Sequence, residues 1–78
     1  MYLYNLLVSF GWRRFGAARA EIRKILTLVG DKDAIIKRTI ANGIAGVDTT
    51  IDPRHVIKEL YVMYNKDPSL FVQTLKWV

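Results

Sequence analysis

The stretch Thr50–Leu60, TIDPRHVIKEL, decides where the second half of the chain changes from strand to helix. Asp52 stands at an expected N-cap, because its carboxylate can accept backbone N–H groups of a first helical turn. Pro53 follows at the first helical position, where its missing N–H is not needed. Apolar residues then recur at helical spacing, at Val56, Ile57, Leu60, Tyr61 and Tyr64. The stretch therefore predicts a helix that begins at Pro53 and is broken by Asn65–Pro68.

The single histidine of the chain, His55, lies in this stretch, next to Arg54 and close to Asp52. In a first helical turn, the positive end of the helix dipole disfavours protonation of the imidazole. No group adjacent in sequence is placed to activate it as a base. We therefore interpret His55 as a helix-start residue and expect the chain to contain no catalytic residue.

Outside this stretch, the chain alternates between strand and helix patterns. The remaining segments are a strand over Leu3–Phe10, a helix over Arg13–Val29, and strands over Ala34–Ile40, Ile44–Thr50 and Leu70–Val78. Gly30 is expected to end the first helix in the left-handed conformation, before a solvated turn at residues 31–33. Asn42–Gly43 is expected to turn the chain between the second and third strands.

The order strand, helix, strand, strand, helix, strand predicts an α+β fold of the ferredoxin-like βαββαβ type. We expect a four-stranded antiparallel sheet with two helices on one face, formed as a single domain over residues 1–78. In the last strand, alternation predicts one face with Phe71, Gln73, Leu75 and Trp77 and the other with Val72, Thr74, Lys76 and Val78.

Composition limits the chemistry that the chain can perform. It has 78 residues, of which 51% are hydrophobic, so it can fold but has little room for a deep active site. The absence of cysteine excludes a disulfide, a thiol nucleophile and any thiolate metal site. With one histidine, we expect no metal and no cofactor. The apolar opening MYLYNLLVSF is too short for a membrane span and lacks a basic leader, so we expect a cytoplasmic protein without a membrane partner.

Twelve Lys and Arg against seven Asp and Glu give a net charge of +5, which suits a polyanionic partner. The segment Ser9–Arg19, SFGWRRFGAAR, sets arginines and a glycine near the start of the first helix, an arrangement that can hold phosphate. The residues predicted to contact RNA phosphates are Arg13, Arg14, Arg19, Arg23 and Lys24, followed by Lys37 and Arg38. Trp12 is a candidate for stacking on a base. Alternatively, Trp12 belongs to the core and the arginines only keep the surface solvated.

Two other functions remain open from the residues. One is a protein interaction or homodimerisation module that uses an exposed sheet face or edge. The reason is that the chain has more aromatic residues than one helix-covered sheet face needs, namely Tyr2, Tyr4, Phe71 and Trp77. The remote alternative is a small acylphosphatase-like hydrolase that uses Arg14 and Asn42. Its glycine- and valine-rich loop with a glutamine is absent from SFGWRRFG. A sheet platform of the RNA-recognition-motif kind is disfavoured, because the third strand, IAGVDTT, contains no aromatic residue.

The order of features from Lys37 to Val78 resembles the N-terminal ferredoxin-like domain of THUMP-containing RNA-modification proteins, especially archaeal relatives of the adaptor for tRNA cytidine acetylation. The shared features are a basic residue before Thr39, the Gly43–Ile44 turn, Ile51-Asp52-Pro53, Asp67-Pro68, Phe71 and Leu75-Lys76-Trp77-Val78. NLLVSFGWRRFGAARAEI, from Asn5 to Ile22, is similar to the opening strand and arginine-bearing helix of that family.

This resemblance implies a non-catalytic domain that binds or positions RNA. The implied partners are tRNA or another structured RNA, together with a tRNA-modifying enzyme. It also implies that residues 1–78 are the N-terminal part of a longer THUMP-type protein, in which a second domain completes the basic surface. The alternative is that the chain ends natively at Val78.

Overall fold

A computed structural model describes residues 4–11 and 14–78 of the chain. The elements in chain order are β1 (Leu6–Phe10), α1 (Phe15–Val29), β2 (Ile35–Arg38), β3 (Ile44–Asp48), α2 (Pro53–Lys66), a short 3-10 helix (Pro68–Leu70) and β4 (Thr74–Trp77). The strands form one antiparallel sheet in the order β2-β3-β1-β4. This is the predicted α+β ferredoxin-like arrangement, so the fold class is confirmed.

Helix α1 follows the predicted spacing of apolar residues. Ala18, Ile22, Ile25 and Leu26 are all fully buried, since positions three and four apart share one helix face. Gly30 closes the helix with φ 112°, and its N–H donates to the carbonyl groups of the last turn. The helix begins at Phe15, two residues later than predicted, and Arg13 lies outside the described residues.

Helix α2 begins as its sequence predicts. The Asp52 carboxylate accepts a hydrogen bond from the N–H of Arg54 (2.9 Å), and Pro53 occupies the first turn. His55 is an exposed residue of this turn, as expected for a helix start. The helix ends at Lys66, where the chain enters the 3-10 helix that contains Pro68.

The core lies between the helices and one face of the sheet. Every second residue of a strand faces the helices. The paired residues Leu6 and Val47, and Val8 and Ala45, are accordingly buried. The fully or nearly buried apolar residues are Leu6, Val8, Phe10, Ala18, Ile22, Ile25, Leu26, Ala34, Ile36, Ala45, Val47, Val56 and Leu60. No helix of the described residues covers the other sheet face, which is called the open face below. No helix in the described part of the chain has the length and apolar character needed to cross a bilayer.

The β2–β3 hairpin differs from its prediction in length. Strand β2 ends at Arg38, so the predicted extension to Ile40 is wrong, and the Ile40 side chain is fully exposed. The Thr39 hydroxyl donates to the carbonyl of Ile44 (2.8 Å) and accepts from the N–H of Ala41 (3.2 Å), which closes a five-residue loop. Gly43 turns the chain with φ 80°, the role predicted for the Asn-Gly pair.

Strand β4 is shorter than the predicted Leu70–Val78 and carries a bulge. Val8 pairs with Trp77, Ser9 with Lys76 and Phe10 with Thr74, so β4 has one extra residue, Leu75, between these partners. Thr74 and Trp77 consequently both face the helices, and Leu75 is exposed. The predicted separation of Thr74 and Trp77 onto opposite faces is wrong, because alternation does not hold across a bulge.

The α1–β2 turn also differs from expectation. Asp31 is 1% exposed rather than solvated. Its carboxylate accepts bonds from the hydroxyls of Thr49 and Thr50 and from the backbone N–H groups of Thr50 (2.8 Å) and Asp33 (3.3 Å). Burial by itself would raise the pKa of Asp31, but these hydrogen bonds outweigh burial and lower its pKa below the ordinary value. Asp31 therefore ties the end of α1 to the segment before α2.

Candidate nucleic-acid interface

The start of α1 is left without a side-chain cap in the described part of the chain. Arg14 occupies the cap position, its N–H donates to the carbonyl of Gly11 (3.1 Å), and its carbonyl accepts from the N–H of Ala18 (2.9 Å). The first turn contains no acidic residue. The positive end of the α1 dipole is thus combined with an exposed arginine, which favours an anion at this position.

Arg38, from β2, reaches the same helix start. Its guanidinium carbon lies 4.6 Å from the centre of the Phe15 ring, and Phe15 contacts Phe10 with ring centres 5.8 Å apart. Stacking on an aromatic ring orients the guanidinium without using its N–H donors. The sequence left open whether Arg38 joins the basic surface, and the structure places it beside α1.

A small cavity of about 200 Å³ lies between the start of α1 and the β2–β3 hairpin. Its lining includes the polar side chains of Arg38, Thr39 and Asn42 and the rings of Phe10 and Phe15. Because ligand pockets for whole small molecules usually start at about 300 Å³, this cavity suits one phosphate or sugar group rather than a nucleotide. Thr39 was not predicted as a site residue, and Asn42 was considered only for a turn and for the hydrolase alternative.

The remaining α1 cations do not form one continuous surface. Arg19 is exposed, four residues after Phe15, so it lies one turn along the helix from Arg38. Lys24 is exposed too, but it is nine positions after Phe15, or about 14 Å further along the helix. Arg14, Arg19 and Arg38 therefore define the basic surface at the start of α1, and Lys24 lies in the second half of the helix.

Arg23 has a structural role that the sequence did not indicate. One guanidinium nitrogen donates to the carbonyl of Ala34 (2.6 Å) and also lies 3.4 Å from the carbonyl of Lys32. The side chain is half-buried. Arg23 therefore holds the α1–β2 connection, and fewer of its donors face solvent than in the other arginines.

Glu21, the acid within the basic helix, is also engaged with the backbone. Its carboxylate accepts three N–H groups, from Val72 (2.8 Å), Gln73 (2.9 Å) and Thr74 (2.7 Å). Such bonds disperse the negative charge and hold the start of β4 against α1. The Glu21 carboxylate therefore offsets the positive charge of the neighbouring basic residues less than its position in the sequence suggests.

Lys37 lies on the opposite side of the sheet from Arg38. Its neighbour Ile36 is buried under the helices, and Lys37 itself pairs with Gly46 of β3. Because strand side chains alternate between faces, Lys37 projects from the open face. It does not belong to the surface at the start of α1. Trp12 and Arg13, the other predicted contacts, lie outside the described residues.

On the open sheet face, the described residues of the central strands β1 and β3 are not aromatic. The central strands present Leu7, Ser9, Ile44 and Gly46 there, since these residues pair with one another between the buried positions. The Tyr4 ring packs on Gly46, where an added Cβ would lie 2.5 Å from ring atoms. That an RNA contact would use α1 and its loop rather than stacking on β1 and β3 stays a prediction.

The described residues contain no group of three or more His, Asp or Glu side chains placed to hold a metal ion. Asn42 lines the cavity beside Arg38, and Arg14 occupies the N-cap position of α1 without a side-chain bond. The two residues considered for a hydrolase therefore lie at the same end of the sheet. No distance between reactive atoms supports a catalytic pair there, and an absence of catalysis stays a prediction.

Comparisons with known proteins add no family or relative: no family model, no curated protein and no solved structure matches this chain. The resemblance to the N-terminal domain of THUMP-type proteins stays a prediction.

Proposed function

We propose that this protein is a non-catalytic RNA-binding domain that contacts phosphates through Arg14, Arg19 and Arg38 at the start of α1. The observation that carries the proposal is the convergence of Arg14 and Arg38, from separate elements, on a helix start without a side-chain cap or an acidic residue. An ordinary solvated surface needs no such convergence, because helix starts are normally capped by Ser, Thr, Asp or Asn.

A nucleic acid suits this surface better than a small anion does. Arg14 and Arg19 are five positions apart, or about 7.5 Å along the helix, and Arg38 adds a third cation from β2. Phosphates follow at about 3.4 Å per nucleotide along a duplex axis, so this surface can contact two or three successive phosphates. Arg13, Arg23, Lys24 and Lys37 are secondary contacts in this proposal, and Trp12 is the candidate for base stacking.

The resemblance to THUMP-type proteins supports tRNA as the RNA. We propose a role in a cytoplasmic, archaeal tRNA-modification system, in which the domain positions tRNA for a separate modifying enzyme. In that role the chain is part of a longer protein whose second domain extends the basic surface. The lack of any described metal cluster is compatible with a positioning role but does not argue for it.

The test is binding of bulk tRNA by fluorescence anisotropy across a salt series, for the original chain and an Arg14→Ala/Arg38→Ala variant. A matched Lys32→Ala/Arg54→Ala variant removes the same charge near the opposite end of the sheet, where both side chains are exposed. Each lost phosphate contact lowers the slope of log affinity against log salt by about one, so we expect the first variant to lose about two.

The control variant should keep most of the slope and the affinity. Equal weakening by both variants would show that only net charge matters and would overturn the assignment of the site. Absence of binding at about 50 mM salt, where phosphate contacts are strongest, would overturn RNA binding by this domain.

A further inference from the structure

An apolar groove runs between α2 and β4, away from the basic surface at the start of α1. It has a volume of about 310 Å³. Exposed apolar side chains lie along it, including Tyr61 (70% exposed), Leu75 (74%) and Val78 (60%). Tyr64 and Phe71 pack edge to face at one end, with ring centres 5.6 Å apart. A contiguous exposed apolar surface of this kind is typical of a binding site.

The groove lies beside an edge of the sheet. Among the strands of the described residues, β4 pairs only with β1, at the end of the order β2-β3-β1-β4. Leu7 and Val78 exchange both backbone hydrogen bonds (2.7 and 2.9 Å), and the next pair along the ladder is Val8–Trp77. Because antiparallel pairs alternate between bonded and non-bonded types, the N–H and C=O of Trp77 point away from β1. They are available to a further strand.

A fifth strand at this edge would place its side chains in the groove. Residues of such a strand that face the helices would lie next to Trp77 on the sheet and against Tyr61 and Tyr64 of α2. The edge and the groove therefore form one docking site for an extended segment, with backbone bonds along β4 and apolar side chains under α2.

Charge distinguishes between the segments that could bind. Lys76 lies on β4 and lines the groove, and Lys58 is exposed three residues before Tyr61 on α2. None of the groove-lining residues in the described part of the chain is acidic. In a second copy of the chain, antiparallel pairing of the two β4 strands would bring two Lys76 side chains into the same short ladder. Repulsion between like charges and lysine on an edge strand both disfavour such self-pairing.

We propose that the β4 edge and this groove bind an extended segment of a partner protein in which acidic residues alternate with apolar ones. The acidic side chains neutralise Lys76, and the apolar side chains fill the groove. The site is separate from the proposed RNA surface, so this inference does not depend on RNA binding.

The test is an NMR titration of the 15N-labelled chain with a short acetylated and amidated peptide in which glutamate alternates with valine. A matched peptide carries lysine in place of glutamate. We expect the largest amide shifts at Leu75 and Trp77, and affinity about fivefold weaker for the lysine peptide. Lys76→Glu should remove or reverse this preference. Lys32→Glu, an exposed charge in the α1–β2 loop, should leave it unchanged.

Tyr61→Ser provides a variant that should still fold, because the side chain is largely exposed, and it should weaken the glutamate peptide. The proposal is wrong if the peptide shifts no amide of β4, or if Lys76→Glu and Lys32→Glu affect binding equally. It is also wrong if sedimentation shows that the chain dimerises and that Lys76→Glu changes the dimer affinity, since a second copy would then occupy this edge.

Discussion

The two helices of this protein begin in different ways. At α2, the Asp52 carboxylate accepts the N–H of Arg54 and Pro53 occupies the first turn, so the helix start is satisfied from within the chain. At α1, Arg14 occupies the cap position without a side-chain bond, and Arg38 adds a second positive group nearby. A helix start that the chain does not cap by itself is suited to an external anion.

The same contrast extends to the two ends of the sheet. At the end where α2 begins, Asn5 exchanges two hydrogen bonds with the backbone of Thr49 (3.0 and 2.9 Å), and Asp31 accepts several more. At the other end, the hairpin and the α1 start enclose a small open cavity lined by Arg38 and Asn42. The first end contributes stability, and the second offers polar groups to a ligand.

The largest expected effect on stability comes from Asp31, whose buried carboxylate links the end of α1 to the segment before α2. Asp31→Ala removes the acceptor for the hydroxyls of Thr49 and Thr50 and for two backbone N–H groups. We expect the free energy of unfolding to fall by about 3 kcal/mol, because buried donors lose their partner. Urea denaturation measures this. Asp33→Ala, at an exposed side chain, is the matched control and should change stability by less than about 0.5 kcal/mol.

The pH dependence of stability should come largely from the same group. Because the pKa of Asp31 is lower in the folded chain than in the unfolded chain, its ionised form stabilises the fold. This contribution is fully present above the ordinary carboxyl pKa of about 3.9 and is lost as the pH falls through the lowered folded value. Urea denaturation between neutral and acidic pH should show a smaller acid loss for Asp31→Asn. If Asp31→Asn loses as much stability at acidic pH as the original chain does, Asp31 is not the source of the pH dependence.

A smaller effect is expected at the capped helix. Asp52→Ala should lower the free energy of unfolding by about 1 kcal/mol, the usual cost of losing an N-cap. It should leave tRNA affinity nearly unchanged or slightly higher, because the substitution removes an acid far from α1. Thermal unfolding and anisotropy together measure both quantities. A large loss of tRNA binding would mean that the α2 end also contacts RNA.

The smallest stability effect should come from placing an acid in the first turn of α1. Ala17→Glu is at an exposed position and should stabilise the fold by about 0.5 kcal/mol through the helix dipole. It should weaken tRNA binding, since the carboxylate competes with phosphate for the same positive charge. Ala17→Gln is the neutral control. If the glutamate variant binds tRNA as well as the glutamine variant, the α1 start is not the contact.

Local patterns along the chain predicted most of the fold. The apolar spacing of α1, the left-handed Gly30, the cap at Asp52 and the turn at Gly43 all depend on residues close in sequence, and all were confirmed. The errors were at strand ends, at the start of α1 and at Asp31, which is buried rather than solvated. Strand β4 begins at Thr74 rather than Leu70, because the preceding N–H groups bond to Glu21, which is more than fifty residues away in sequence.

The candidate site was only partly predictable for the same reason. Arg14 and Arg19 followed from their place on the first helix. The sequence could not separate Lys37 from Arg38, since which one faces α1 depends on how β2 is registered against β3. It also could not show that Arg23 donates to the carbonyl of Ala34, a bond that depends on how α1 packs on β2.

The sequence by itself determined the order of elements, the start of α2, the ends of both helices and the excess of positive charge, because each depends on short-range backbone chemistry or on composition. Only the tertiary structure decided which charges are exposed to a partner. Asp31, Glu21 and Arg23 form hydrogen bonds that connect separate elements of the fold, and Asp31 is buried as well. Strand register left Arg38 beside an uncapped helix, and the position of α2 beside an edge strand created the groove at Lys76.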